Sequence, residues 1–197
     1  ELGLFEDPYV DLDEVDEVVG SPEHLRTAQD VSDLTTTLIA NDGALPLAEP
    51  EGDALVTGWG ASTTAVLAEE FAARGWTAEA LATGAAPNET DIAAAVEAAA
   101  GRDLVVVATN GVADDPAQAD LVAALHEAGA PVVAIAVRDP YDVAHHLEDT
   151  AAALATYSYA EGGLRSVVGV IFGELAPRGR LPVDIPSAED PGTALFG

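Results

Sequence analysis

Residues 104–108 read LVVVA and residues 132–137 read VVAIAV, two apolar runs in which no polar side chain alternates with the apolar ones. A strand with one face in water alternates polar and apolar residues, whereas a strand covered on both faces is apolar throughout. Both runs therefore predict buried strands of a parallel sheet. Parallel strands need crossover connections, which are usually helices that cover the faces of the sheet.

Outside these two runs, short apolar segments alternate with alanine-rich amphipathic segments. Three further strands are predicted at residues 54–57, 77–82 and 152–157, and helices are predicted at about 63–74, 91–100, 117–128 and 164–172. Alternation of strand and helix is typical of a parallel sheet with helices on both sides. The sequence therefore predicts an α/β fold, a three-layer α/β/α sandwich with a mostly parallel sheet.

A further helix is predicted ahead of the first strand, because Ser21 is a favourable N-cap and Pro22 suits the first helical position. Its apolar residues form one stripe, which comprises Leu25, Ala28, Val31, Leu34 and Leu38. We expect this helix to end at Asn41-Asp42-Gly43, where the glycine is a typical stop signal. Residues 1–20 are too acidic to form a core alone, so we interpret them as an arm and residues 21–197 as one domain.

The last predicted strand, Leu181–Ile185, contains Pro182 and is followed by Pro186. Proline has no N–H group to donate to a neighbouring strand and is therefore confined to sheet edges, bulges and strand starts. We expect this strand at an edge of the sheet, in an orientation that can be antiparallel.

The chain is strongly acidic. It contains 35 acidic residues against 7 basic ones, all of them arginine, and its formal net charge is −28. Repulsion between so many carboxylates destabilises a folded state at low salt, and counterions screen that repulsion at molar salt. We expect a halophilic source, with the cytosol of a salt-accumulating organism favoured over secretion. Nucleic acid and anionic membranes are disfavoured as partners, because phosphate-binding surfaces need clustered basic side chains.

Patterns that could indicate a cofactor or a metal are incomplete. Residues 58–63, GWGAST, open a helix after a strand, but Thr63 stands where a dinucleotide-binding turn has its third glycine. We interpret the segment as a backbone turn with a Ser62 or Thr63 cap. The histidines are His24, His126, His145 and His146. They lack metal-ligand spacing, so we expect surface or capping roles for them. The sequence predicts no cofactor and no metal.

Three charged side chains follow the two most apolar strands. Asp114 and Asp115 lie in the loop after the strand at 104–109, and Arg138 directly follows the strand at 132–137. Open α/β sheets bind their ligands at the carboxyl ends of the strands. Asp114, Asp115 and Arg138 are therefore the candidate substrate-binding residues.

A structural role is the competing interpretation for all three residues. One of the two aspartates can cap the helix that begins near Pro116, and the arginine can pair with Asp139 or Asp142. Tyr157 and Tyr159, at the end of the next strand, could stack on a sugar ring, although such tyrosines more often serve packing.

Four segments carry a resemblance to a known family. They are ELGLFEDPYV at 1–10, LIANDGALPL at 38–47, RDPYDVAHH at 138–146 with ALATYSYAEGG after it, and GELAPRGRLPVDIP at 173–186. In this order they resemble the C-terminal domain of family 3 glycoside hydrolases, with the β-N-acetylhexosaminidase branch the most similar. The first segment resembles the exit from the N-terminal barrel of that family. Residues 1–20 would then be the linker that follows a catalytic barrel.

The resemblance implies an accessory role. In this family the aspartate nucleophile lies on the barrel, so we expect no catalytic residue in this chain and no activity of the chain alone. The implied function is that of the C-terminal domain of a retaining exo-β-N-acetylhexosaminidase, which packs on the catalytic barrel, shapes its substrate pocket and meets the carbohydrate indirectly. The alternatives are the C-terminal domain of a family 3 β-glucosidase and a stand-alone binding or interaction module. A nucleotide-binding α/β domain is a third and weaker alternative.

The two branches place the general acid/base on different segments. In the β-glucosidase branch, the loop that corresponds to residues 110–115 resembles the one that delivers this group, whereas the hexosaminidase branch uses an Asp-His pair on a barrel loop. Residues 110–115 read NGVADD and lack the glutamate ahead of an Asp-Arg pair that the family pattern contains. Their match to the acid/base loop is therefore one of position only.

Overall fold

The computed structural model describes residues 3, 5–6, 8–12, 14–188 and 192–196. Its helices are α1 (Val15–Val18), α2 (Pro22–Thr35), α3 (Ala61–Ala72), α4 (Glu89–Ala99), α5 (Ala117–Glu127) and α6 (Glu161–Ile171). Its strands are β1 (Thr37–Asn41), β2 (Asp53–Gly58), β3 (Thr77–Ala82), β4 (Leu104–Thr109), β5 (Val132–Ala136), β6 (Ala152–Ala155), β7 (Ile185–Pro186) and β8 (Ala194–Phe196). Two 3₁₀ helices, Pro140–His145 and Leu147–Asp149, lie between β5 and β6.

Strands β1 to β6 form one sheet in the order β1-β6-β5-β4-β2-β3. Strands β2 to β6 run parallel, and β1 pairs antiparallel with β6 at one edge. Strands β7 and β8 form a separate antiparallel sheet. The predicted α/β class with a mostly parallel sheet is confirmed.

Helices cover both faces of this sheet. Helices α3 and α6 pack on one face, where Phe71 and Val168 share a core with Val106 of β4. Helices α4 and α5 pack on the other face, where Leu121 lies in a core with Val105 of β4. Consecutive side chains of a strand point to opposite faces, so a strand that feeds two cores must be apolar at every position. The predicted three-layer sandwich is confirmed.

The helix predicted to run to Asn41-Asp42-Gly43 ends earlier. Helix α2 stops at Thr35, and the next residues form β1, whose Leu38 pairs with Leu154 of β6. The prediction that the helix includes Leu38 is therefore wrong. Leu38 continues the helical spacing of the apolar stripe, and a short edge strand gives too weak a pattern to compete with that spacing.

The apolar stripe of α2 faces outward. No residue of this helix is buried. The exposed apolar side chains are Leu25, Val31 and Leu34. Contacts with α6 are made by the polar side, where Gln29 Nε2 donates to Ser166 Oγ at 2.9 Å and Ser166 Oγ donates to Asp33 Oδ1 at 2.6 Å. An apolar stripe normally marks the side of a helix that covers the core. In α2 the polar side faces the domain and the apolar side faces outward.

The strand predicted at Leu181–Ile185 as an edge of the sheet is also corrected. Residues 181–184 form no strand, and β7 begins at Ile185 in the small sheet with β8. The segment ahead of it is anchored at Gly179, whose N–H donates to the Thr36 carbonyl at 3.1 Å. A side chain at this glycine would overlap the Thr35 carbonyl oxygen. The antiparallel edge strand of the main sheet is β1, at the opposite end of the sequence.

The predicted arm, residues 1–20, contains the short helix α1 within its described part. Residues 1, 2, 4, 7 and 13 of the arm lie outside the described residues. Phe5, Tyr9 and Leu12 are exposed, so the domain provides no apolar cover for them. That the arm is a linker stays a prediction. Across the described residues, every helix is too short or too polar to cross a membrane.

Candidate functional site

The carboxyl ends of the parallel strands form one edge of the sheet, and the predicted site residues lie there. Asp114 and Asp115 belong to residues 110–116, which connect β4 to α5 and are called the β4 loop below. Arg138 follows the neighbouring strand β5, and the Val137 N–H donates to the Thr109 carbonyl at 3.0 Å where the two strands end. The structure therefore brings all three predicted residues to the same edge, on adjacent strands.

The base of the β4 loop is held by two side chains from other segments. The Asp142 carboxylate, 2% exposed, accepts the N–H groups of Gly111 at 3.1 Å and Val112 at 2.9 Å. Gln118, on α5, accepts the Asn110 N–H at 3.0 Å and donates to the Asn110 carbonyl at 2.9 Å. Backbone groups in a buried loop must find such partners. These bonds hold the loop in one conformation at the edge of the sheet.

The environment of the Asp142 carboxyl group fits its role in holding the β4 loop. Burial raises its pKa above the ordinary value, while the N–H groups of Val112 and Gly111 and the hydroxyl of Thr109 partly offset the rise, and the negative charge of Asp139 adds to it. A carboxylate that is removed from water and bonded to backbone N–H groups is typical of a positioning residue. Of the two carboxylates proposed as partners of Arg138, the loop occupies Asp142, and Asp139 is the one within ion-pair distance.

A histidine is buried beside Asp142. Its Nε2 atom lies 3.5 Å from the Thr109 hydroxyl. His146 is 2% exposed, and its Nδ1 atom has no hydrogen-bond partner among the described residues. Burial lowers the pKa of this imidazole to about 4, so His146 is neutral at pH 7. The expected surface or capping role is wrong for this histidine.

The two aspartates of the β4 loop differ in what they bond. Asp115 Oδ1 accepts the Ala117 N–H at 3.0 Å, at the start of α5, as the capping interpretation predicts. Asp114 is exposed, and within the described part of the chain its carboxylate makes no hydrogen bond or ion pair. Of the two, Asp114 is the one that can meet a ligand.

Arg138 is exposed at the same edge. Its Nε atom lies 3.7 Å from Asp139 Oδ2, and both side chains are at least half exposed to water, at 63% and 50%. An ion pair of this kind contributes little to stability. The guanidinium of Arg138 is therefore available to a partner or to a ligand.

Two aromatic rings at this edge touch each other. The rings of Trp59, after β2, and Tyr159, before α6, lie 5.3 Å apart and are tilted by 55°. Tyr157 has a structural role instead, since its hydroxyl lies 2.9 Å from Thr37 Oγ1. Sequence reasoning missed Trp59. Its position directly after a strand, at the edge where ligands bind, is the signal that could have found it.

The turn at residues 58–63 opens α3 without the expected cap. The N-cap is Gly60, no side chain caps the helix, and the expected Ser62 or Thr63 cap is wrong. Within the described residues, no three side chains of histidine, aspartate or glutamate are grouped so that they could hold a metal ion.

We expect Asp142→Asn to loosen the β4 loop. The amide has one acceptor atom where the carboxylate has two, so one of the N–H groups of Gly111 and Val112 loses its partner. An unpaired buried donor costs about 1–3 kcal/mol, and 1 kcal/mol corresponds to about fivefold, so the amide hydrogen that loses its partner should exchange at least about fivefold faster. Hydrogen exchange followed by NMR measures this. Asp139→Asn is the control, since it removes a neighbouring charge without touching these bonds; equal acceleration in both variants would contradict the role of Asp142.

The parallel sheet, its two helical layers and the loops at its carboxyl edge define an α/β-sandwich domain. Over residues 36–194 the chain matches the Glycosyl hydrolase family 3 C-terminal domain. The chain belongs to this family.

Solved structures with the same fold are multi-domain enzymes. A β-glucosidase from Listeria innocua in complex with glucose has a TM-score of 0.79 and 23% identity over 97% of this chain and 30% of its own. A family 3 β-N-acetylglucosaminidase from a Paenibacillus species has a TM-score of 0.75 and 21% identity over 83% of this chain and 33% of its own. A fungal multi-domain family 3 β-N-acetylglucosaminidase has a TM-score of 0.74 and 22% identity over 95% of this chain and 21% of its own.

The chain therefore spans a fifth to a third of the length of these enzymes. Identities of 21–23% show a shared fold, and both β-glucosidases and β-N-acetylglucosaminidases are among the structures. A search of curated proteins finds no match.

Proposed function

We propose that this domain is the C-terminal accessory domain of a retaining exo-β-N-acetylhexosaminidase. In this proposal it packs against an N-terminal catalytic barrel, and residues 1–20 link the two. One observation carries the proposal: the β4 loop is held at its base while Asp114 and Arg138 stay exposed beside it at the edge where α/β sheets bind ligands. A preorganised polar edge of this kind suits one wall of a substrate pocket that a second domain completes.

The sequence of the β4 loop favours the hexosaminidase branch, because NGVADD lacks the glutamate ahead of an Asp-Arg pair that the acid/base loop of the glucosidase branch contains. A retaining glycosidase needs two carboxyl groups about 5 Å apart on either side of the scissile bond. In the β4 loop, Asp115 is engaged at the start of α5, and Asn110 stands at the end of the strand with both backbone groups bonded to Gln118. Only Asp114 remains to act as an acid from this loop. A barrel that carries its own general acid does not require one here.

The role of Asp114 separates the two branches. We expect Asp114→Asn in the two-domain enzyme to change kcat for an aryl N-acetyl-β-glucosaminide by no more than about threefold, because removal of a true general acid costs about 10²–10⁴-fold. The release of the aryl chromophore measures this, and Asp115→Asn is the matched control. The chain alone should release no chromophore, because the family resemblance places the aspartate nucleophile on the barrel.

Other results would support the alternatives. A loss of 10²-fold or more for Asp114→Asn, together with a preference for aryl β-glucosides, would support a β-glucosidase in which Asp114 protonates the leaving group. Tight binding of a glycan by the chain alone in calorimetry, with no barrel in the protein, would support a stand-alone binding module.

We also propose that the domain functions at high salt. Its net charge of −28 spreads over a chain without lysine, and ions screen such repulsion more completely as salt rises. We expect the thermal midpoint of unfolding to rise by about 10 °C or more between 0.1 M and 2 M KCl, since 1 kcal/mol corresponds to about 2–4 °C for a domain of this size. Calorimetry with sucrose in place of KCl is the control for exclusion effects. An unchanged midpoint would contradict the proposal.

A further inference from the structure

Helix α2 leaves an apolar surface uncovered. Gln29 and Asp33 bond the buried Ser166 of α6, so the helix contacts its own domain through polar side chains. Val31 and Leu34, on its outer surface, are each 54% exposed. Apolar side chains that are grouped on a surface mark binding sites.

An open groove of about 650 Å³ lies beside these two side chains. We call it the α2 groove, and its lining residues that matter here are Val31, Leu34, Tyr157, Arg178 and Arg180. Two contacts hold its walls: Tyr157 bonds to Thr37 through its hydroxyl, and Gly179, between the two arginines, bonds to the Thr36 carbonyl. These two contacts fix the walls of the groove, so its shape is determined by the fold.

The α2 groove reaches the edge of the sheet at which the candidate site lies. Thr156 and Tyr157 directly follow β6, and they line the groove at the carboxyl end of that strand. This is the same edge of the sheet that carries the β4 loop and Arg138. One partner can therefore cover the groove and face the candidate site together.

Two arginines stand at the rim of the groove. Arg178 and Arg180 are exposed and form no ion pair with described residues, as is also true of Arg26 on α2, whereas Arg74, Arg102 and Arg165 are all paired with carboxylates of this domain. Unpaired guanidinium groups are unexpected in a chain where acidic residues outnumber basic ones by 35 to 7. They match carboxylates on a facing surface, since arginine binds carboxylates through paired N–H donors.

We propose that the α2 groove is the surface on which the N-terminal catalytic domain docks, through apolar side chains flanked by carboxylates. The inference rests on the proposed function, because it requires such a domain. Solved relatives that share this fold over 97% and 83% of the chain continue for another two thirds of their own length, so a domain to fill the groove is present there. A second copy of this chain is the competing occupant, and footprinting of the chain alone at several concentrations tests it.

Radical footprinting compares this chain alone with the intact two-domain enzyme. We expect the labelling rates of Val31 and Leu34 to fall by at least about fivefold in the intact enzyme, because the centre of an interface excludes water. Tyr141, exposed on the 3₁₀ helix after β5, reports labelling of the candidate-site edge. Equal labelling of Val31 and Leu34 in both proteins would overturn the docking surface. It would leave the proposed function intact if Asp114 and Tyr141 are protected.

Variants test the same surface by function. Val31→Asp combined with Leu34→Asp should lower kcat/KM of the intact enzyme by about tenfold or more and let the two domains separate after cleavage of the linker, since interface centres carry most of the binding energy. Arg178→Glu with Arg180→Glu should separate the domains in the same way, measured at the lowest salt concentration at which the wild-type enzyme stays folded and its domains stay joined. Ala94→Asp, exposed on α4 at the opposite face of the sheet, is the control and should behave as wild type.

Three further results would decide whether the α2 groove is the docking surface. Circular dichroism should show that the variants fold, because the replaced side chains are exposed; folded variants with unchanged kcat/KM and inseparable domains would overturn the inference. Concentration-dependent protection of Val31 and Leu34 in the chain alone would assign the groove to a second copy and overturn it as well. If the protein contains no catalytic domain at all, the proposed function fails and the docking surface fails with it.

Discussion

Replacing Gly58 by alanine is expected to remove a large part of the stability of this domain. Gly58 ends β2 with a φ of 98°, a conformation that costs an L-residue about 1–3 kcal/mol. A methyl group there would also overlap the carbonyl oxygen of Ala108 on the neighbouring strand β4. Overpacking of a close-packed interior costs about 1–3 kcal/mol more. The sum of about 4 kcal/mol is a large part of the 5–15 kcal/mol that holds a typical domain together.

Urea unfolding at high salt, followed by circular dichroism, measures the change. Gly84→Ala is the matched control, because Gly84 has a φ of 82° and no atom within 4 Å of the added methyl group. It should therefore show the cost of backbone strain without the overlap. If both variants lose the same free energy of unfolding, the close contact with Ala108 is not what makes Gly58 necessary.

The buried imidazole of His146 is expected to give the domain a specific sensitivity to acid. Burial lowers its pKa to about 4 from the ordinary 6.5. Above pH 6.5 the group is neutral in both the folded and the unfolded chain and contributes nothing to the pH dependence. Between pH 6.5 and 4 the unfolded chain binds a proton that the folded chain does not, so the free energy of unfolding falls as the pH falls. The loss through this residue is about 3 kcal/mol over that interval.

A variant isolates this contribution from those of the many carboxylates. Asp142 acts in the opposite direction, because burial raises its pKa and the folded chain then binds protons more readily as the pH falls. His146→Gln keeps a polar side chain and removes the titration. Its free energy of unfolding, relative to that of the original chain, should gain about 3 kcal/mol between pH 7 and pH 4.

Urea unfolding at a series of pH values tests this difference. His24→Gln is the control, since it makes the same replacement at an exposed histidine on α2. Curves for His146→Gln and the original chain that stay parallel from pH 7 to pH 4 would contradict a neutral, buried His146.

The central strands could be predicted closely because burial determines their composition. The runs at 104–109 and 132–137 are observed as Leu104–Thr109 and Val132–Ala136. A strand enclosed on both sides can accept few polar residues, so its environment is visible in a short stretch of sequence. The edge strand β1 could not be predicted in this way, because the sheet encloses it less and Leu38 fits a helical spacing equally well.

The outward stripe of α2 shows why spacing alone is insufficient. Periodicity identifies the apolar side of a helix but does not say which body that side contacts. The buried partner of α2 is Ser166, which α6 brings into reach of Gln29. The spacing correctly predicts the helix from Pro22 to Thr35 and wrongly extends it beyond Thr35.

The candidate site was only partly predictable for a similar reason. Asp115 lies two residues before the backbone N–H that it accepts, and such local capping is readable from sequence. Asp142 bonds backbone groups 30 and 31 residues away, which depends on how β4 and β5 are placed. His145 and His146 are adjacent in sequence, and nothing in the sequence distinguishes them. Only the fold shows that His146 is the buried one.

The bonds between Gln118 and Asn110 have a consequence for how this loop can vary. The side-chain amide of Gln118 pairs with the N–H and carbonyl of Asn110 as another strand would, so it extends the ladder of β4 by one residue from a helix. Asp142 also holds Gly111 and Val112, so residues 113–116 are the part of the loop that can vary between fixed ends. Loops of other lengths and sequences could be grafted between these ends, which makes the position a natural place to engineer new recognition without redesigning the scaffold.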